Sequence, residues 1–137
     1  MINQVQIINI PKIAAPDGRG NLSVVEKDTL PYNIKRVYYL YDVPSNSTRG
    51  GHAHKQLQQC LIALSGSFIV VVDDGENKKE ILLNRPDKGL LIPNGIWREL
   101  IEFSAGAVCL SLVSEEYDEA DYIREYEEFV NLKRSSS

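Results

Sequence analysis

Turns punctuate this chain at short intervals, and that spacing limits what it can fold into. Runs rich in β-branched and aromatic residues cover Val5 to Ile10, Leu22 to Val25 and Ile34 to Val43. They continue as CLIALSG ending at Gly66, FIVVVDDG, Glu80 to Asn84, Leu90 to Ile92, Trp97 to Phe103 and Val108 to Ser114. Between them lie Pro86-Asp87-Lys88-Gly89, Pro93-Asn94-Gly95 and Ser104-Ala105-Gly106, all turn sequences, and Asp74-Gly75 is a hairpin signal. No long amphipathic helix interrupts the runs, so βαβ units are excluded and an all-β antiparallel barrel or jelly roll is predicted, with the strand count favouring one closed barrel.

After Ser114, the spacing of Tyr122, Ile123, Tyr126, Phe129 and Val130 predicts a short C-terminal helix. Asp118, Glu119 and Asp121 are expected at its start, where carboxylates complement the helix dipole. Residues 134–137 are expected to fray. With 137 residues and no repeat or linker, one domain over 1–133 is predicted, long enough to bury a core without disulfides or a structural metal.

Composition narrows the function classes. A net charge of −4 gives no general attraction for nucleic acid, so an anionic ligand needs local arginines. No segment approaches the roughly 20 apolar residues of a membrane helix. The N-terminus lacks the pattern of a secretory signal, so a cytoplasmic address is expected. Cys60 and Cys109 sit in apolar runs and read as buried free thiols.

The chemistry concentrates in Arg49-Gly50-Gly51-His52-Ala53-His54. The chain has two histidines, and both fall in this His-x-His pair. Residues two apart on a strand share a face, so the imidazoles are expected to project together. The segment is similar to the first cupin motif, in which a glutamate and then a glycine follow the histidine pair. Here four residues separate His54 from Gln59 and six separate Gln59 from Gly66, so glutamine stands where the metal-binding carboxylate belongs. In Pro93-Asn94-Gly95-Ile96-Trp97-Arg98, similar to the second cupin motif, arginine takes the place of the last histidine ligand. A guanidinium has no lone pair for a metal, and two histidines alone make a poor divalent site. The expectation is a cupin barrel without metal or other cofactor, in which neutral imidazoles move a proton next to a carbonyl. Arg98 is expected to stabilise the resulting negative charge and to lower a nearby histidine pKa.

These segments, with Asp17-Gly18-Arg19-Gly20, Ile34 to Tyr39 and Tyr117 to Arg124, resemble the sugar 3,4-ketoisomerases of dTDP-4-keto-6-deoxyglucose, within the WxcM-like cupins. The resemblance implies an isomerase that moves the keto group from C4 to C3 of a dTDP-linked deoxyhexose, for surface-polysaccharide sugars. It also implies a homodimer with exchanged N-terminal strands, catalytic His52 and His54, and Arg19, Tyr38 and Arg49 beside the substrate, Arg19 nearest an anionic group. Arg98 departs from that family, whose usual residue there is histidine, and so does Glu116, where an aromatic is usual. Lys35 and Arg36 fit a solvent-facing strand edge equally well, and Trp97 fits the core. A nucleotide-sugar 3,5-epimerase and a non-catalytic sugar-binding module stay open beside the isomerase.

Overall fold

The structure, a computed structural model, describes residues 1–135. Its strands are β1 (Gln6–Asn9), β2 (Lys12–Ala14), β3 (Asn21–Ser23), β4 (Arg36–Leu40), β5 (Arg49–His54) and β6 (Gln59–Ser65). They continue with β7 (Phe68–Asp73), β8 (Lys78–Leu83), β9 (Lys88–Ile92), β10 (Trp97–Ile101), β11 (Val108–Val113) and β12 (Tyr122–Ile123), before helix α1 (Tyr126–Ser135). One sheet has the order β1-β9-β6-β11-β4, a second β12-β5-β10-β7-β8, and β2 with β3 forms a separate hairpin.

From β4 onward the chain changes sheet at every connection except β7–β8. That exception is the hairpin expected at Asp74-Gly75, where Asp74 Oδ1 accepts from the backbone N–H of Glu76 and Asn77. The crossings depend on tight corners. Gly66 between β6 and β7 has φ +65°, and a Cβ there would lie 2.5 Å from Ser104 Oγ. Among the described residues no strand ladder joins the two large sheets. The expected closed barrel is therefore a jelly-roll-like sandwich, because its edge strands β1, β4, β8 and β12 each pair on one side only.

Period-two alternation builds the interior. Phe68, Val70 and Val72 of β7 are fully buried between the sheets with Leu61, Ala63, Leu100 and Cys109. Phe68 stacks on Phe103 at 5.2 Å between centroids. Each such side chain contributes roughly 1.5–3 kcal/mol by leaving water. Toward one end the same inward faces turn polar, carrying Tyr38, His52, His54, Gln59, Arg98 and Ser111. The site is thus the polar end of the core.

The C-terminal segment differs from its expectation. Tyr122 and Ile123 form β12, paired with His54 and Ala53 of β5. Alternation sends Ile123 outward into a cluster with Ala53, Trp97 and Phe129. The helical spacing that included them was coincidental, and the helix begins at Tyr126, where Phe129 docks it on that cluster. Arg134 and Ser135 belong to α1, and Ser136 and Ser137 of the expected frayed tail lie outside the described residues. Among the described residues no helix is long and apolar enough to cross a membrane.

Candidate active site

Strand β5 lies between β12 and β10, and its pleat turns both imidazoles inward as the sequence predicts. Their ring centroids are 4.8 Å apart in an edge-on arrangement, and Tyr122 packs against both, at 5.0 Å from His52 and 4.4 Å from His54. A cavity of about 70 Å³ opens here, lined by Tyr38, Arg49, His52, Gln59 and Arg98 among others. It has room for one edge of a sugar, so the rest of a nucleotide ligand must lie at its mouth. A larger depression of about 620 Å³ carries Glu115, Glu116, Asp118 and Asp121 against Lys35. Its charge has the wrong sign for a diphosphate.

Hydrogen bonds define the state of His52. Its Nδ1 lies 3.1 Å from the Gly50 carbonyl, which can only accept, so the proton of the neutral ring sits on Nδ1. Nε2 keeps its lone pair and is buried without a partner. His54 is 1% exposed and places Nδ1 3.2 Å from Asp121 Oδ2. Burial first, and the Arg98 charge second, lower His52 from 6.5 to about 4. The same two causes, then the charges of His52, Arg36 and Arg124, lower His54 to about 2. Both rings are therefore uncharged near neutral pH. The sequence foresaw the Arg98 effect, but desolvation is the larger cause.

This has a consequence for stability. Unfolding returns each histidine to about 6.5, so between that value and pH 4 the unfolded chain binds protons that the folded chain refuses. Stability is fully present above pH 6.5 and is lost as the pH falls, by up to about 1.4 kcal/mol per pH unit for each ring. Denaturant titrations at pH 7 and pH 4.5 are expected to show this loss, and His52→Asn to flatten it.

The residues meeting here do not fit a metal. Arg98, 1% exposed, donates from Nη1 to Gln59 Oε1 and from Nε and Nη2 to the Ile96 carbonyl, at 3.2 and 3.0 Å. Gln59 in turn donates to Tyr38 Oη at 2.7 Å and to Ser111 Oγ at 2.6 Å. The two motif positions that would supply ligands are thus bonded to each other, and a fixed cation stands where a metal would. No group of three or more His, Cys, Asp or Glu side chains that could hold a metal occurs among the described residues.

Four of the six predicted site residues, Tyr38, Arg49, His52 and Arg98, line one cavity, and His54 packs against His52 behind it. Arg19 does not. It lies in the β2–β3 connection, 81% exposed and paired with Asp17, on a hairpin that joins neither large sheet. Tyr39 points outward, opposite Tyr38, and Trp97 is in the core. Arg36 turns inward beside Tyr38, with its guanidinium 5.0 Å from the Tyr38 ring and its Nε buried without a partner. Period-two alternation from Tyr38 could have placed it there. Asp121 and Tyr122 were missed as site residues because a helical pattern was read across them.

Fold and cavity together define a cupin-like β-sandwich with a histidine pair and a buried arginine at its polar end. The chain belongs to the WxcM-like family: the family model described as "FdtA: WxcM-like, C-terminal" matches residues 3–134. It is 44% identical over 125 residues to the TDP-4-oxo-6-deoxy-alpha-D-glucose-3,4-oxoisomerase of Aneurinibacillus thermoaerophilus, covering 90% of this chain and 88% of that one. A 3,4-ketoisomerase from Helicobacter canadensis superposes with a TM-score of 0.91 at 44% identity, covering 95% and 97% of the two chains. A mutant of the 3,4-ketoisomerase QdtA from Thermoanaerobacterium thermosaccharolyticum, in complex with TDP-4-keto-6-deoxyglucose, superposes with a TM-score of 0.93 at 40% identity, covering 98% and 97%.

Proposed function

We propose that this protein isomerises a dTDP-4-keto-6-deoxyhexose to the 3-keto sugar, with no metal and with His52 as the proton carrier. The observation that carries this reading is the buried, unpartnered Nε2 of His52, which lines a cavity together with Arg98 and Tyr38. Nε2 takes the proton from C3, the C3–H electrons form a C3=C4 double bond, and the C4 oxygen becomes an enediolate oxygen. The O3 proton passes to O4, which leaves the negative charge on O3; the O3 electrons then form the C3=O bond while the C3=C4 electrons take the proton back at C4, so the ketone stands at C3 and the hydroxyl at C4. The bonds of Arg98 to Gln59 and Ile96 leave one N–H on each of Nη1 and Nη2 for the developing charge. His54 holds a second imidazole against the first.

A base lowered to about 4 is weak, and the ligand itself corrects this. An anion bound beside His52 favours the imidazolium and raises its pKa toward the operating pH. Substrate binding and base strength are therefore coupled.

We further read the protein as a homodimer that exchanges N-terminal strands, placing Arg19 at the partner's cavity. The support is an exposed apolar surface, Ile13 and Leu22 on the hairpin and Val37, Tyr39 and Tyr41 on and beside β4, with Arg19 standing away from its own site. The unpaired Cys60 and Cys109 suit a reducing cytoplasm.

The test is incubation with dTDP-4-keto-6-deoxyglucose followed by NMR of the product. A 3-keto sugar is expected, at a rate that excess chelator does not alter. A product that keeps the C4 ketone but is inverted at C3 and C5 would identify an epimerase, and binding without turnover a sugar-binding module.

A further inference from the structure

We infer that Asp121 is a positioning residue for His54, fixing that imidazole as the tautomer protonated on Nδ1 with its lone pair on Nε2. Its effect on turnover rests on the isomerase reading above. Asp121 ends the single turn Glu119–Asp121 that delivers the chain into β12. Its side chain is 11% exposed and fully engaged. Oδ1 accepts from Gln56 N at 2.7 Å, while Oδ2 accepts from Leu57 N at 3.2 Å and from His54 Nδ1 at 3.2 Å. Lys55 N donates to the Asp121 carbonyl at 2.9 Å, so the loop after β5 clasps this residue from both its backbone and its side chain.

A carboxylate oxygen can only accept, so the proton of a neutral His54 must sit on Nδ1. The two backbone donors prevent the carboxylate from rotating away, and Tyr122 and His52 pack against the ring. The same segment thus supplies both the ring that covers His54 and the group that orients it.

An asparagine cannot reproduce this. It has one acceptor oxygen for two sets of donors, so its NH2 faces either Gln56 N–H or the pair formed by Leu57 N–H and His54. In the second arrangement His54 must accept on Nδ1 and carry its proton on Nε2, which removes the lone pair from Nε2.

The experiment uses the whole chain labelled with 15N-histidine. Two histidines give a spectrum in which each imidazole is resolved. At pH 7 wild-type His54 is expected to be protonated on Nδ1. Asp121→Asn is expected to move that proton wholly or partly to Nε2, leave His52 unchanged, and lower kcat roughly 100-fold or more with little change in KM. Asp121→Glu restores a carboxylate and is expected to recover the tautomer and part of kcat. Asp118→Ala removes the cap that Asp118 Oδ1 places on Ala120 N and touches neither histidine, so tautomer and kcat are expected to stay within a few-fold of wild type. A wild-type His54 protonated on Nε2 overturns the assignment, as does a folded Asp121→Ala, which has no acceptor in either place, with an unchanged tautomer and kcat. So does an Asp118→Ala that reproduces the full loss, because the turn and not the carboxylate would then be responsible. The wild-type spectrum needs neither substrate nor variant, so it decides the tautomer even if the protein does not isomerise.

Discussion

His52→Asn is expected to lower kcat on the 4-keto sugar nucleotide by about 10²- to 10⁴-fold, the range lost with a positioned general base. Asparagine matches the size and polarity of the imidazole near its backbone but has no basic nitrogen. Stability is expected to change little, within about 1 kcal/mol, because the asparagine amide NH2 can keep the bond to the Gly50 carbonyl while the variant removes an Nε2 that is buried without a partner. His54→Asn is expected to abolish turnover as well, at a greater cost to the fold. It removes much of a ring that is 1% exposed and packed against His52 and Tyr122, leaving a void there, while the asparagine amide can still donate to the Asp121 carboxylate. Single-turnover kinetics beside denaturant unfolding separates these effects. A His52→Asn variant with wild-type kcat would reject its role as proton carrier.

The second large effect is a gain. Gln59→Glu together with Arg98→His restores the two missing donors of the cupin motifs, beside a histidine pair whose Nδ1 atoms are already engaged by Gly50 and Asp121. Both Nε2 atoms then remain for an ion, with their rings oriented from behind as metal-binding histidines usually are. The double variant is expected to bind Zn²⁺ or Mn²⁺. At a concentration near 100 times Kd the ion adds about 2.7 kcal/mol. For a domain of this size that is a rise in Tm of roughly 8–12 °C. Wild type is expected to show no rise. Gln59→Glu alone is expected to show none either, because the new carboxylate faces the Arg98 guanidinium. Calorimetry and thermal melts with and without metal check this, and a wild-type protein stabilised to the same degree would contradict the metal-free reading.

The legible parts of the sequence are those governed by local rules. Alternation put His52 and His54 on one face, opposed Tyr38 to Tyr39, and made the Asp74-Gly75 hairpin plain. The motif departures at Gln59 and Arg98 pointed to a lost metal site, though their direct bond is visible only in three dimensions. What misled was a pattern with two meanings. Tyr122, Ile123, Tyr126, Phe129 and Val130 satisfy helical spacing, yet the free edge of β5 captures Tyr122 and Ile123 as a strand, and Asp121 becomes a partner of His54 instead of a helix-starting acid. Arg19 shows a different limit. Its motif is plain, but its position depends on where the β2–β3 hairpin goes, which local patterning does not decide.

The most direct measurement follows the proton itself. Turnover of dTDP-4-keto-6-deoxyglucose in deuterium oxide, read by NMR, is expected to yield a 3-keto product with deuterium at C4, at an unchanged rate in chelator, and to slow at least about 100-fold in His52→Asn. Deuterium at C3 and C5 with the ketone still at C4, or a rate that chelator removes and metal restores, would contradict proton transfer by an unmetallated imidazole in this cavity.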